Sequence, residues 1–219
     1  MQRTIKVTGK ANLNISPDQT VVRLELKNKY DDYEEALLKS NEETKEVKDL
    51  IASYDINRKD IKTIKFNVES KYESYKDKNG DYKSRFIGYG YSHILEFSFD
   101  NDNKLLGRIL RVLSRTKNVY DVRVKYTVKD KEEAKNKLLK KAVQDAISKA
   151  EIIADASNVR LGNIVTIDYS VKEYDYDMSP YGREYERKCY FTSSDDLDMD
   201  ITPEDIELND HATVIFEIF

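Results

Sequence analysis

The chain is poor in the residues that build covalent or metal-held scaffolds. It has 219 residues and one cysteine, Cys189. That excludes an intrachain disulfide and a cysteine-ligated zinc cluster. Tryptophan is absent, and only 3 Pro and 7 Gly occur, which argues against collagen-like and low-complexity chains. No stretch approaches the roughly 18 apolar residues of a membrane-spanning helix. The opening Met1-Gln2-Arg3-Thr4-Ile5-Lys6-Val7 lacks the apolar run of roughly 7–15 residues that a secretory leader carries. As written, the chain reads as cytoplasmic, with the cell envelope open if a leader has been removed. Neither sign of charge dominates. Lys and Arg number 37 against 41 Asp and Glu, a net −4, which leaves no electrostatic footprint for DNA or RNA.

What is present is pattern. Thr20–Lys27 alternates Val22, Leu24 and Leu26 with Val21, Arg23 and Glu25, the mark of a half-buried strand. From about 31 to 54, Tyr33, Ala36, Leu37, Ser40, Thr44, Val47, Leu50 and Ile51 fall at spacings of three and four, predicting a helix with one buried face. Asp31 or Asp32 is its expected N-cap. Residues 61–75 and 82–99 form two extended arms around Asn79-Gly80, a strong hairpin signal because both residues tolerate positive φ. The distal arms are rich in Tyr and Lys and the base is apolar, so the hairpin is expected to project from the body. A short helix follows over 103–116, then a strand over 119–128. A long helix is predicted over 130–157, its stripe built from Ala134, Leu138, Ala142, Ala146, Ala150, Ile153 and Ala154. Strands at 5–9, 163–173 and 212–219 complete the set, with a connecting turn at 12–17 and an irregular, acidic loop over about 174–200. The order points to an α+β fold: one domain over 1–219, a mostly antiparallel sheet, and about three helices mainly on one face.

Known chemical motifs are missing. No G-x-S-x-G and no phosphate-binding glycine loop occurs. Ser92 and His93 are adjacent in a predicted strand and point to opposite faces, so they do not form a nucleophile–base pair. Gly88 and Gly90 mark a bulge or bend in the hairpin arm. Asp196, Asp198, Asp200 and Glu207 match the acidic positions of a calcium loop, but Ile201 stands where the turn needs glycine; a solvated acidic loop is the plainer reading. Cys189 has basic neighbours, Arg187 and Lys188, which favour thiolate and oxidation; an ordinary thiol is the plainer reading. No cofactor and no metal is expected.

The unusual number is 16 tyrosines, clustered at 72–91 and 169–190. A tyrosine ring supplies apolar area and its hydroxyl a polar end, which suits protein–protein contact. Tyr72, Tyr75, Tyr82, Tyr89 and Tyr91 are the candidate contact residues. Base stacking is weakened by Glu73, Asp77 and Asp81 among them. Filling of strand faces is the plain alternative.

Several segments in order resemble one family. They are Ile5-Lys6-Val7-Thr8-Gly9 with Ser16-Pro17-Asp18, then Asp60-Ile61-Lys62-Thr63, then Gly88-Tyr89 with Asn103-Lys104-Leu105-Leu106-Gly107. Ala142, Asp145-Ala146, Lys149-Ala150 and Ala154 before Leu161-Gly162 follow, and Ile201-Thr202-Pro203 comes last. The chain resembles the SIMPL domain, a bacterial domain of unknown function (DUF541). The resemblance implies an association with the cell envelope and with defence against oxidative stress, and by name a kinase partner in animals. It supplies no catalytic residues. The expectation is a non-enzymatic scaffold that forms a homo-oligomer and meets an unknown protein partner, without a membrane span or nucleic acid. The alternative is a redox-active or ion-binding protein using Cys189 or the acidic loop.

Overall fold

The fold was analysed in a computed structural model that describes residues 3–169 and 202–219. The described residues fall into two compact units, one of 3–18, 127–169 and 203–219, the other mainly 19–126.

In the first unit, β1 (Thr4–Ile15), β6 (Leu161–Asp168) and β7 (Ile206–Ile218) form an antiparallel sheet in the order β1-β7-β6. Helix α3 (Lys131–Ala156) lies on it. Asp130 caps the helix by accepting from the Glu133 amide at 2.7 Å. The predicted small-residue stripe is the buried face: Ala134, Leu138, Ala142, Ala146, Ala150 and Ala154. Ile153, expected with them, is exposed. Opposite the stripe stand Val7, Ala11, Ala212, Val214 and Phe216. Small side chains on both surfaces bring the backbones close. At Gly9 the strand runs directly against the Ala142 carbonyl and the Ala146 amide. Asp145 fastens the same crossing, accepting from the Lys10 amide at 2.7 Å and from Lys149 Nζ at 2.5 Å. Those two donors hold its carboxyl below the usual range.

In the second unit, β2 (Gln19–Tyr30), β3 (Lys62–Lys76), β4 (Tyr82–Asp100) and β5 (Val119–Thr127) form a sheet in the order β3-β4-β2-β5. Helices α1 (Tyr33–Ala52) and α2 (Asn103–Leu113) pack on it through one apolar cluster. That cluster joins Val22, Leu24 and Leu26 of β2 and Leu95 and Phe97 of β4 to Val47, Ile51, Leu106, Ile109 and Leu113 of the helices. Asp32 caps α1, accepting from the Glu34 and Glu35 amides, and Asp102 caps α2 in the same way.

The α+β class, the antiparallel pairing and the three helices agree with the sequence reading. The strands, however, are divided between two sheets rather than joined in one. Alternation shows which face of a strand is buried, not which strand lies beside it. The expected turn at 12–17 is partly strand, because β1 runs on to Ile15 in register with Ile206. The last strand likewise starts at Ile206 rather than Ala212.

The hairpin projects as expected. Strand β2 ends with Tyr30 opposite Tyr89, whereas β3 and β4 stay paired as far as Lys76 and Tyr82. Beyond Tyr89 the two strands form a ribbon roughly 20 Å long, at about 3.3 Å per residue. Asp77 organises the turn by accepting from the Asn79 and Asp81 amides and pairing with Lys83 at 2.6 Å. Gly80 adopts a φ of 87° there. Gly88, at 115°, sits at the predicted bulge, where the register shifts between Lys71 and Tyr72.

Candidate functional site

Two features of the second unit stand out: a polar cluster under α1 and an aromatic row along the ribbon.

Helix α1 faces the sheet with a mixed surface. Its buried residues are Ala36, Ser40, Glu43, Thr44, Val47 and Ile51, and only Val47 and Ile51 belong to the apolar core. The middle of the helix, at Glu43 and Thr44, is tied to the sheet by hydrogen bonds instead. The Glu43 carboxylate accepts from the Tyr91 hydroxyl, from the Tyr30 hydroxyl, and from Asn28 Nδ2 at 3.2 Å. Asn28 Nδ2 also donates to the Tyr30 hydroxyl oxygen at 3.1 Å. Burial, and then the bond to Glu43, push both phenols well above their ordinary range. A carboxylate offers about four lone-pair sites, and three donors occupy Glu43. The cluster works as a latch that ties α1 to β2 and β4.

At the next helix residue, Thr44, His93 of β4 makes a second tie. Its Nδ1 lies 2.8 Å from Thr44 Oγ1 and its Nε2 2.9 Å from Thr63 Oγ1. A neutral imidazole accepts on one nitrogen and donates on the other, and a threonine hydroxyl serves either. The Phe66 ring meets the imidazole edge-on at 5.0 Å. Burial, with Lys48 adding repulsion, lowers the His93 pKa. Ser92 points to the opposite face and donates to Glu25 at 2.6 Å, as strand alternation requires.

This gives a pH dependence of known sign. Because the folded His93 resists protonation, the unfolded chain binds its proton first as pH falls below about 6.5. Stability is full above that value and declines as pH drops through the lowered folded pKa. The urea midpoint of the native chain is expected to fall between pH 7 and pH 5 more steeply than that of His93→Gln. Parallel pH profiles would refute the assignment.

The tyrosines of the hairpin sort into three groups. Tyr91, expected as a contact residue, is only 1% exposed and belongs to the core and the latch; it offers a partner no surface. The alternation that placed it on the hairpin arm cannot show that α1 covers its face. Tyr75 lies on the other face of the ribbon, under the Arg85 guanidinium, which also pairs with Glu73. Tyr72, Tyr82 and Tyr89 share the face that carries α1. There the rings touch edge-on in series: Tyr33 to Tyr89 at 5.4 Å, Tyr89 to Phe86 at 5.2 Å, and Phe86 to Tyr72 at 5.7 Å. Tyr72 is 63% and Tyr82 76% exposed. Lys76 Nζ lies 4.9 Å from the Tyr82 ring centre at the end of the row.

Sequence reasoning missed Glu43, Tyr30 and Phe86. The signal for Glu43 was in its position, since it falls three and seven residues after Ser40 and Ala36. Its charge assigned it to the solvent face instead. Cys189, Asp196, Asp198 and Asp200 lie outside the described residues. Among the described residues no group of three His, Cys, Asp or Glu is placed to hold a metal, and no helix is long and apolar enough to cross a membrane.

Residues 5–216 match the family model SIMPL, described as a protein of unknown function (DUF541). The chain is similar to a 26 kDa periplasmic immunogenic protein of Brucella melitensis, with 31% identity over 164 residues. It is 30% identical over the same length to the protein of that name from Brucella abortus. Each alignment covers 74% of this chain and 65% of the relative. The chain thus spans less than two thirds of the length of these relatives.

Proposed function

The chain belongs to the SIMPL family, and from that premise we propose that it is a non-enzymatic scaffold protein that associates with itself through the hairpin ribbon. The observation that carries this reading is the aromatic row. Tyr72, Phe86 and Tyr82 stand exposed on a two-stranded extension that no third strand or helix covers among the described residues. Monomeric proteins seldom leave contiguous rings in water unless a partner uses them, and aromatic residues are enriched where proteins meet. Isolated two-stranded hairpins are marginal in water, so a covering partner also stabilises the ribbon. The name of the Brucella relatives, periplasmic immunogenic protein, supports a place in the cell envelope.

The test is light scattering coupled to size exclusion. The native chain is expected to run as an oligomer, and Tyr72→Ser combined with Phe86→Ser as a monomer with an unchanged circular dichroism spectrum. A native chain that stays monomeric at high concentration refutes the proposal. Recovery of the native chain from periplasmic extracts, rather than the cytoplasm, checks the location.

A further inference from the structure

The net charge of −4 conceals one strongly basic stretch. From Asn103 to Tyr120 stand Lys104, Arg108, Arg111, Arg115 and Lys117, with no Asp or Glu among them. Helix α2 sorts the stretch into two sides. Leu106, Ile109 and Leu113 are buried in the core of the second unit. Lys104, Arg108 and Arg111 recur at intervals of four and three, which puts them together on the outward side. Arg115 and Lys117 follow in the turn beyond the Ser114 cap. The strip runs roughly 16 Å from Lys104 to Arg115, at about 1.5 Å per residue. All of its bases are exposed except Arg111, which is half-buried.

Little nearby cancels this charge. Among the described residues Lys104, Arg108, Arg115 and Lys117 have no ion-pair partner. Asp100 and Asp102 stand at the N-terminal end, where Asp102 accepts from the Lys104 and Leu105 amides at 2.9 and 3.0 Å. Past the C-terminal end Asp121 pairs with Arg123 at 2.7 Å. On α1, which shares the apolar core with α2, Glu42 pairs with Lys39 and Asp49 with Arg58. Glu46, two residues past Thr44 and so on the flank of α1 away from His93, is the exposed acid left on that side. The bases outnumber these acids. Like charges three and four residues apart on a helix also repel one another, and an external anion removes that cost.

Guanidinium groups match phosphate through paired hydrogen bonds. A line of bases on an outward helix face suits a flat anionic surface. The apolar side of α2 is spent on the core, so the helix can lie on such a surface but not sink into it. Nucleic acid fits less well. No aromatic residue lies between 103 and 119 for base stacking, and the adjoining Tyr120 ring already meets Lys27 Nζ at 4.4 Å. In the cell envelope, phosphate is carried by lipid headgroups. We propose that α2 lays this basic strip on a membrane surface of anionic phospholipid headgroups and docks there without insertion. This rests on the envelope location proposed above and adds the surface used and the chemistry that meets it.

Vesicle co-sedimentation of the full chain tests it. Vesicles of phosphatidylcholine with about 30% phosphatidylglycerol are expected to carry the chain down at about 0.05 M salt and to release it at about 0.5 M. Lys104→Gln, Arg108→Gln and Arg115→Gln together are expected to weaken binding at least about thirtyfold, because each base near an anionic surface contributes about fivefold. These side chains are exposed and unpaired, so the thermal midpoint is expected to hold. Lys137→Gln, Lys140→Gln and Lys141→Gln on α3 change the net charge equally and are expected to leave binding within about threefold. A native chain that ignores the anionic vesicles overturns the proposal. So does equal binding to pure phosphatidylcholine, equal loss in the α3 variant, or tighter binding to a DNA duplex than to the vesicles. Binding that appears only when Asp195, Asp196, Asp198 and Asp200 are changed to Asn also overturns it, by making the chain's own acidic segment the occupant. Vesicle binding through α2 by a chain that fractionates with the cytoplasm leaves the strip standing and defeats the envelope location; recovery from the periplasm without vesicle binding does the reverse.

Discussion

Gly9→Ala is expected to destabilise the first unit by about 3 kcal/mol, at the upper end of overpacking costs. A methyl group at Gly9 would stand 2.8 Å from Ala146 Cβ and closer still to the Ala142 carbonyl oxygen and the Ala146 amide nitrogen. Two of those three neighbours are backbone, which cannot rotate away as a side-chain tip can. Helix α3 would have to lift from β1, and its other contacts resist. The alanine stripe loses packing along its length if it moves, and the Asp145 bond to the Lys10 amide stretches at the same point. In thermal unfolding followed by helical circular dichroism, the loss corresponds to a midpoint lowered by roughly 6–12 °C for a chain of this size. Gly80→Ala is the control. Its φ of +87° opposes a side chain, but no atom lies within 4 Å of the added methyl, so the cost is about 1–2 kcal/mol of local strain. If Gly9→Ala melts like the native chain, the close seating of α3 on β1 is wrong.

Glu43→Ala is expected to cost about 2–4 kcal/mol, because it orphans a buried phenol rather than because it removes one bond. Tyr91 has almost no access to water, so its hydroxyl keeps the full desolvation penalty. Tyr30 is partly exposed and recovers some hydration, which makes its share smaller. Adding Tyr91→Phe to Glu43→Ala should therefore regain part of the loss, since the orphaned donor disappears with its acceptor. Urea denaturation of the two single variants and the double variant measures this directly. A Glu43→Ala cost below about 0.5 kcal/mol, well under the usual penalty for an unmet buried group, would show that the latch carries no weight. The same cluster predicts alkaline sensitivity. The folded phenols hold their protons above the ordinary value of 10.0, whereas the unfolded chain releases them there. Stability thus falls as pH rises past about 10, and Tyr91→Phe should flatten that decline.

The elements themselves were readable because each answers to a local rule. The alternation of Val22, Leu24 and Leu26 named the buried face of β2, and all three lie in the core. The alanine spacing of α3 named its packed face apart from Ile153. Asp32 was readable as a cap, and Asn79-Gly80 as a turn, though only Gly80 takes the positive φ. The ribbon was legible too, since its arms are longer than the strand beside them. The site was read less well. Tyrosine content pointed to the hairpin, yet strand alternation alone does not separate the covered Tyr91 from the exposed Tyr72 and Tyr82. The charge of Glu43 masked a position that helical periodicity had already turned inward.

Local pattern, then, is what the amino-acid order determined unaided: helices, strands, caps, the long hairpin and the membership in a family. These depend on interactions within a few residues, whose spacing is written in the chain. Tertiary structure alone decided that the strands part into two sheets, that Gly9 meets a helix backbone, and that one carboxylate gathers two phenols beneath α1. It also decided which tyrosines face water. The reason is physical. Each of those outcomes depends on which distant segment arrives at a given face, and burial, unlike periodicity, is a property of the neighbour as much as of the residue.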